Sequence, residues 1–226
     1  MSPILRNIPN LLTISRMLIA PVFFFLFINN YYYLALACFF FASITDFLDG
    51  FLARRFNVVS KFGKLYDPLA DKILIFLGCL CILIKPPFPI YVDLSSLPPI
   101  TKNFSYIFNL HPNTIIYLIL ASLLFRDFIA TTLREIKLRK DRFILKTNLI
   151  AKIKTTMLII YIHLYLLYQL LGGFSRLPKR YSSDVMINNT TQDTVLLYLD
   201  YLLYLTLILS LISLIDYINQ YRNKNI

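Results

Sequence analysis

Residues 31–55, YYYLALACFFFASITDFLDGFLARR, are apolar and uncharged from Tyr31 to Thr45, then carry Asp46 and Asp49, and close on Arg54 and Arg55. A helix of about 20 mostly apolar residues spans a bilayer's hydrocarbon core, and the opening tyrosines are the ring type that settles at the membrane interface. The stretch reads as a spanning helix with two carboxylates at one end. On insertion scales an Asp at the centre of such a helix costs about 2.5–3.5 kcal/mol, and less near the interface, so carboxylates placed there mark a polar cavity or a functional path.

Working outward, similar runs give six candidate spans, at 11–29, 31–53, 68–85, 113–134, 149–171 and 194–219. The composition agrees: 58% of the 226 residues are hydrophobic and only 15% charged, too apolar for a soluble domain. The first run leads directly into the second, so no removable signal peptide is expected. The expected fold is all-α, an integral membrane bundle of six transmembrane helices forming a single domain over 1–226. Between the runs, 86–112 holds Pro86, Pro87, Pro89, Pro98, Pro99 and Pro112, and 172–193 opens on Gly172 and Gly173. Both read as loops. Asp67 before Pro68 resembles a helix N-cap with proline in the first turn.

The net charge of +11 does not point to nucleic acid, because the basic residues lie between apolar runs instead of in one stripe. Seventeen of the 23 Lys and Arg fall on one side of the six-span arrangement, five on the other, and Arg126 lies within a helix. The positive-inside rule then puts both termini in the cytoplasm, in a multi-pass protein of the cell (inner) membrane. Cys38, Cys79 and Cys81 lack the spacing of a zinc site and read as packing residues. His111 and His163 are too isolated to be ligands.

Of only twelve acidic residues, Asp46, Asp49, Asp67 and Asp71 gather around the first cytoplasmic turn. Residues three or four apart share a helix face, so a short turn brings two pairs together. Left alone, four carboxylates repel and take up protons; one or two hard divalent cations, magnesium or manganese, would hold them ionised. Gly50 and Ala53 leave a small-residue notch that suits either a nucleotide or close helix packing.

Read as one pattern, Asp46-x2-Asp49-Gly50-x2-Ala53-Arg54-x8-Gly63-x3-Asp67-x3-Asp71 resembles the signature of the CDP-alcohol phosphatidyltransferases at every position. The resemblance implies that Asp46, Asp49 and Asp67 coordinate metal. It implies that Asp71 shares a second ion and is the catalytic general base, and that Gly50, Ala53, Arg54, Ser60 and Gly63 line the CDP-lipid site. The active site would face the cytoplasm.

Within the family, Asn7-Ile8-Pro9-Asn10-Leu11-Leu12-Thr13-Ile14-Ser15-Arg16, the run Asp46 to Lys72, Arg126-Asp127 with Arg134, and Lys152-Ile153-Lys154-Thr155 are similar to bacterial phosphatidylglycerophosphate synthases. That likeness implies CDP-diacylglycerol and glycerol 3-phosphate as substrates. The residues themselves agree, since a phosphorylated acceptor needs cations, and Arg126, Arg134, Lys152 and Lys154 stand towards the cytoplasmic ends of their helices. Positive-inside bias is the competing account of Lys152 and Lys154, and a weak one for Arg126. Another acceptor alcohol, as in a cardiolipin synthase, is the nearest alternative. An aspartate-rich intramembrane prenyltransferase and a cation carrier are more distant ones. The oligomeric state is open, a homodimer included.

Overall fold

The computed structural model describes residues 3–56, 61–88, 97–141, 149–172 and 185–222, with side chains except at 3–10, 46–56, 61–68, 71, 134–135, 137–141, 185–193 and 221–222. Every regular element among the described residues is a helix: α1 (Pro3–Ile28), α2 (Tyr32–Phe56), α3 (Lys61–Ile84), α4 (Pro99–Phe108), α5 (Pro112–Asp141), α6 (Leu149–Leu170) and α7 (Val185–Arg222). Among the described residues four stretches are long and apolar enough to cross a membrane: Leu11–Ile28, Pro112–Leu133, Leu149–Leu170 and Thr194–Gln220. Large apolar side chains such as Leu18, Phe25, Phe125 and Phe128 are exposed, a surface that suits lipid and not water. Among the residues of α2 and α3 with described side chains, the apolar stretches are Tyr32–Thr45 and Lys72–Ile84.

The chain divides into two compact units. The first comprises Met1–Lys85 and Ile162–Gly173. Here α1 packs against both α2 and α3, and α2 touches α3. Thr13, Arg16, Ala20, Phe23 and Phe27 on α1 and Ala35, Phe39 and Ala42 on α2 are buried at alternating spacings of three and four, the seam of left-handed helix pairs. Rings on α1 meet rings on α2: Phe23 and Phe39 lie 5.1 Å apart, and Phe27 and Tyr32 5.6 Å. Without a hydrophobic drive between helices in lipid, such close fitting has to hold them together. Gly78 on α3 serves the same end, since a Cβ there would stand 2.8 Å from Cδ1 of Ile162.

The turn from α1 to α2 is a Schellman closure. The Tyr31 amide donates to the Leu26 carbonyl at 3.0 Å and that of Asn30 to Phe27 at 3.1 Å, with Asn30 in the left-handed region at φ 67. Lys85, just past α3, completes it: Nζ donates to the carbonyls of Phe27 (3.0 Å) and Ile28 (3.3 Å), to Asn30 Oδ1 (2.7 Å) and to the Tyr32 hydroxyl (3.2 Å). A cation there meets the negative end of the α1 dipole. The Lys85 carbonyl in turn accepts from the Tyr165 hydroxyl and from Gln169 Nε2. His163 packs edge-on against Phe39 at 4.7 Å.

The second unit comprises Pro86–Tyr161 and Phe174–Ile226. Its main seam joins Asn113, Ile116, Leu120, Leu123 and Arg126 of α5 with Leu199, Leu203, Thr206, Ser210, Ser213 and Tyr217 of α7. Towards its C-terminal end the α7 side turns small and polar, as membrane helix contacts often do. His111 opens α5 by accepting the Asn113 amide on Nδ1 at 3.2 Å.

Two expected loops prove partly helical. Within 86–112, α4 starts at Pro99, because proline at the first helical position loses no hydrogen bond the helix would have made. Pro98 supplies no side-chain cap; the cap comes from α7, where Asp200 accepts the amides of Ile100 (3.2 Å) and Thr101 (3.3 Å) and the Thr101 hydroxyl. Asn109, at φ 51, ends the helix. Within 172–193, α7 begins at Val185 instead of near 194. A third difference concerns Asp67 and Pro68, which fall inside α3 and not at its start, as the helix already begins at Lys61. Proline is tolerated inside helices of membrane proteins, where neighbours re-satisfy the freed backbone groups.

Candidate active site

The backbone is helical through all four signature aspartates, with Asp46 and Asp49 on α2 and Asp67 and Asp71 on α3, separated by residues 57–60. The spacings of three and four therefore fall on real helices, and each pair occupies one helix face. The side chains of Asp46, Asp49, Gly50, Ala53, Arg54, Gly63, Asp67 and Asp71, and all of Ser60, lie outside the described part. By donor chemistry the four carboxylates fit a hard divalent cation, which takes oxygen ligands. Elsewhere among the described residues no group of three or more His, Cys, Asp or Glu is placed to hold a metal ion.

Arg16 was counted in the sequence only as a basic residue and part of a resemblance, yet it is fully buried within the span Leu11–Ile28. The Phe23–Phe39 contact fixes the register of the antiparallel pair α1 and α2. Burial of a cation inside a membrane span marks a functional position.

In the second unit the structure brings two of the four predicted acceptor cations together. Lys154 on α6 is fully buried, and its Nζ lies 2.6 Å from both oxygens of Asp127 on α5. Arg126 Nη1 donates to Asp127 Oδ1 at 3.0 Å, and its side chain is only 8% exposed. Nη2 donates to the Ser213 hydroxyl, and the guanidinium lies 5.4 Å from the Tyr217 ring centroid. Nε is buried with no hydrogen-bond partner among the described residues. Lys152 is exposed. Arg134 lies further along α5, with its side chain outside the described part.

Sequence reasoning singled out Arg126 and Lys154 but missed the groups that hold them. Asp127 was visible as the neighbour of Arg126. Ser213 and Tyr217 carried no local signal, because a serine and a tyrosine in an apolar helix look like ordinary packing residues.

The sequence model of the family described as CDP-alcohol phosphatidyltransferase matches residues 6–212, and the chain belongs to that family. Over 83 residues it is 48% identical to the CDP-diacylglycerol–glycerol-3-phosphate 3-phosphatidyltransferase of Rickettsia typhi, covering 35% of this chain and 46% of that protein. Likeness to the Aquifex aeolicus protein of the same name is 40% over 74 residues, covering 33% of this chain and 42% of the relative. A cardiolipin synthase (CMP-forming) / mitochondrial hydrolase fusion protein of Schizosaccharomyces pombe is 41% identical over 91 residues, 39% of this chain and 15% of the relative. The chain thus spans about half or less of the length of these curated relatives. No solved structure matches it.

Proposed function

We propose that this protein transfers the phosphatidyl group of CDP-diacylglycerol to glycerol 3-phosphate, giving phosphatidylglycerophosphate and CMP. The observation that carries the reading is the complete signature from Asp46 to Asp71, set on two packed helices of a chain in this family. The acceptor is argued from the relatives' names and from the buried cations Arg126 and Lys154.

In this reading Gly50, Ala53, Arg54, Ser60 and Gly63 hold the CDP moiety, with Arg54 gripping a phosphate in fork geometry. Asp46, Asp49, Asp67 and Asp71 would hold one or two Mg2+ or Mn2+ ions, whose charge offsets that of the pyrophosphate. Asp71 takes the proton from the acceptor hydroxyl as that oxygen attacks the β-phosphorus and CMP leaves. Arg126 and Lys154, with Arg134 and Lys152, bind the acceptor phosphate. The chain spans the cell membrane six times, the apolar parts of α2 and α3 included, with both termini and the site on the cytoplasmic side.

The test is CMP release by the purified protein from CDP-diacylglycerol against a panel of glycerol 3-phosphate, glycerol, inositol and phosphatidylglycerol. Preference for glycerol 3-phosphate is expected. Preference for phosphatidylglycerol would favour the cardiolipin synthase reading, which the fission-yeast relative keeps in view. No CMP release with any acceptor would remove the transferase assignment.

A further inference from the structure

We propose that the C-terminal half of α7 belongs to the acceptor site, with Ser213 and Tyr217 acting as positioning residues that hold the Arg126 guanidinium ready for a phosphomonoester dianion. The inference rests on the proposed role of Arg126 and goes beyond it, since it assigns a function to a helix that the signature does not reach.

Ser213 and Tyr217 are four apart on α7 and so share a face. They are 0% and 1% exposed. From that face the Ser213 hydroxyl accepts a hydrogen bond from Nη2 of Arg126, and the guanidinium carbon lies over the Tyr217 ring, 5.4 Å from its centroid. Asp127 accepts a hydrogen bond from Nη1 at 3.0 Å. Three groups on two helices thus fix a side chain that would otherwise rotate freely about its long stem, and fixing the fork in advance lowers the entropy lost on binding.

Among the described residues the Nε donor is left over. A buried N–H without an acceptor is costly and uncommon, and here it sits on a guanidinium whose other contacts are made by neutral groups and by one carboxylate. That carboxylate is already shared: both Asp127 oxygens lie 2.6 Å from Lys154 Nζ. Among the described contacts, Arg126 and Lys154 thus meet on one carboxylate. A doubly charged phosphate complements two buried cations better than a neutral alcohol does. Selection of a phosphorylated acceptor follows from their presence, and α7 keeps the guanidinium in place to exert it.

The experiment compares steady-state kinetics of wild type, Arg126→Ala, Ser213→Ala, Tyr217→Leu and Tyr217→Phe in detergent micelles, varying glycerol 3-phosphate and CDP-diacylglycerol separately. Ser213→Ala and Tyr217→Leu are expected to raise KM for glycerol 3-phosphate by about three- to ten-fold, the scale of one hydrogen bond or one cation–π contact. KM for CDP-diacylglycerol should stay within about two-fold. Tyr217→Phe keeps the ring face and should restore the acceptor KM. If Tyr217→Leu does not fold, Ser213→Ala decides. Should Arg126→Ala raise the acceptor KM while the α7 variants leave it alone, or shift both KM values equally, the positioning role falls and the acceptor site stands. Should Arg126→Ala itself leave glycerol 3-phosphate use intact, the reading of the acceptor site falls, and the role of α7 with it.

Discussion

Asp71 follows Asp67 by one helical turn on α3, and of the four signature carboxylates it is the one proposed to move a proton. Asn keeps the shape and loses the basicity, so Asp71→Asn should cut turnover by about a hundred- to ten-thousand-fold, the span of general base catalysis. Calorimetric titration with CDP-diacylglycerol should still show binding; near-normal turnover would place the base elsewhere. The aspartates were legible because their chemistry fixes both residue type and interval, leaving a pattern that survives without a structure. Arg126 was legible for the opposite reason, as a charge where the surrounding run permits none. Ser213 was not: its role exists only because α5 sets Arg126 against it, 87 residues away in the chain. Nothing in the neighbourhood of Ser213 encodes that meeting.

At the scale of elements, the long apolar helices could be read almost to their ends, and the errors gathered where proline was read as a loop residue or as the start of a helix. Pro99 starts α4 and Pro68 lies within α3. Proline reports only on its own missing donor, and whether that donor was needed depends on position in the helix. The contact of α3 with the C-terminal part of α6 was also illegible, since it depends on which side Gly78 faces. Gly78→Leu should lower stability by about 1–3 kcal/mol through overpacking. Gly78→Ala should cost less, because the nearest atom, Cδ1 of Ile162, ends a side chain that can turn. Thermal unfolding in detergent would rank the two, and equal midpoints for both variants and wild type would show that α3 and α6 have room to spare.

For the molecule as a whole, the membrane class was plain from composition, while the number of crossings was not. Among the described residues four helices meet the length and hydropathy of a span outright. In α2 and α3 the sequence sets the charged signature on the same helix as an apolar run, so hydropathy alone does not settle whether each crosses. The proposed metal site bears on this scale too, because four carboxylates at one end of α2 and α3 need compensation. Activity should therefore vanish in excess chelator and return on adding Mg2+ or Mn2+; full turnover in chelator would show that the carboxylates are compensated within the protein.

The cap that α7 lends to α4 has a consequence for how the chain is made. Asp200 is 99 residues beyond Thr101, so at about 5–20 residues per second the ribosome needs roughly 5–20 s to deliver it. During that interval the first amides of α4 have no carboxylate to meet, while α5 and α6 are already being threaded into the bilayer. A cysteine in place of Thr101, which is 1% exposed in the finished fold, should react with a water-soluble maleimide in chains halted before Thr194. It should be shielded once Arg222 has emerged; equal shielding in both would mean that α4 docks on α5 unaided. Helix α7, made after α5 and α6, is thus the one that closes a segment begun before them, and a truncated translation product would announce itself by leaving that segment open.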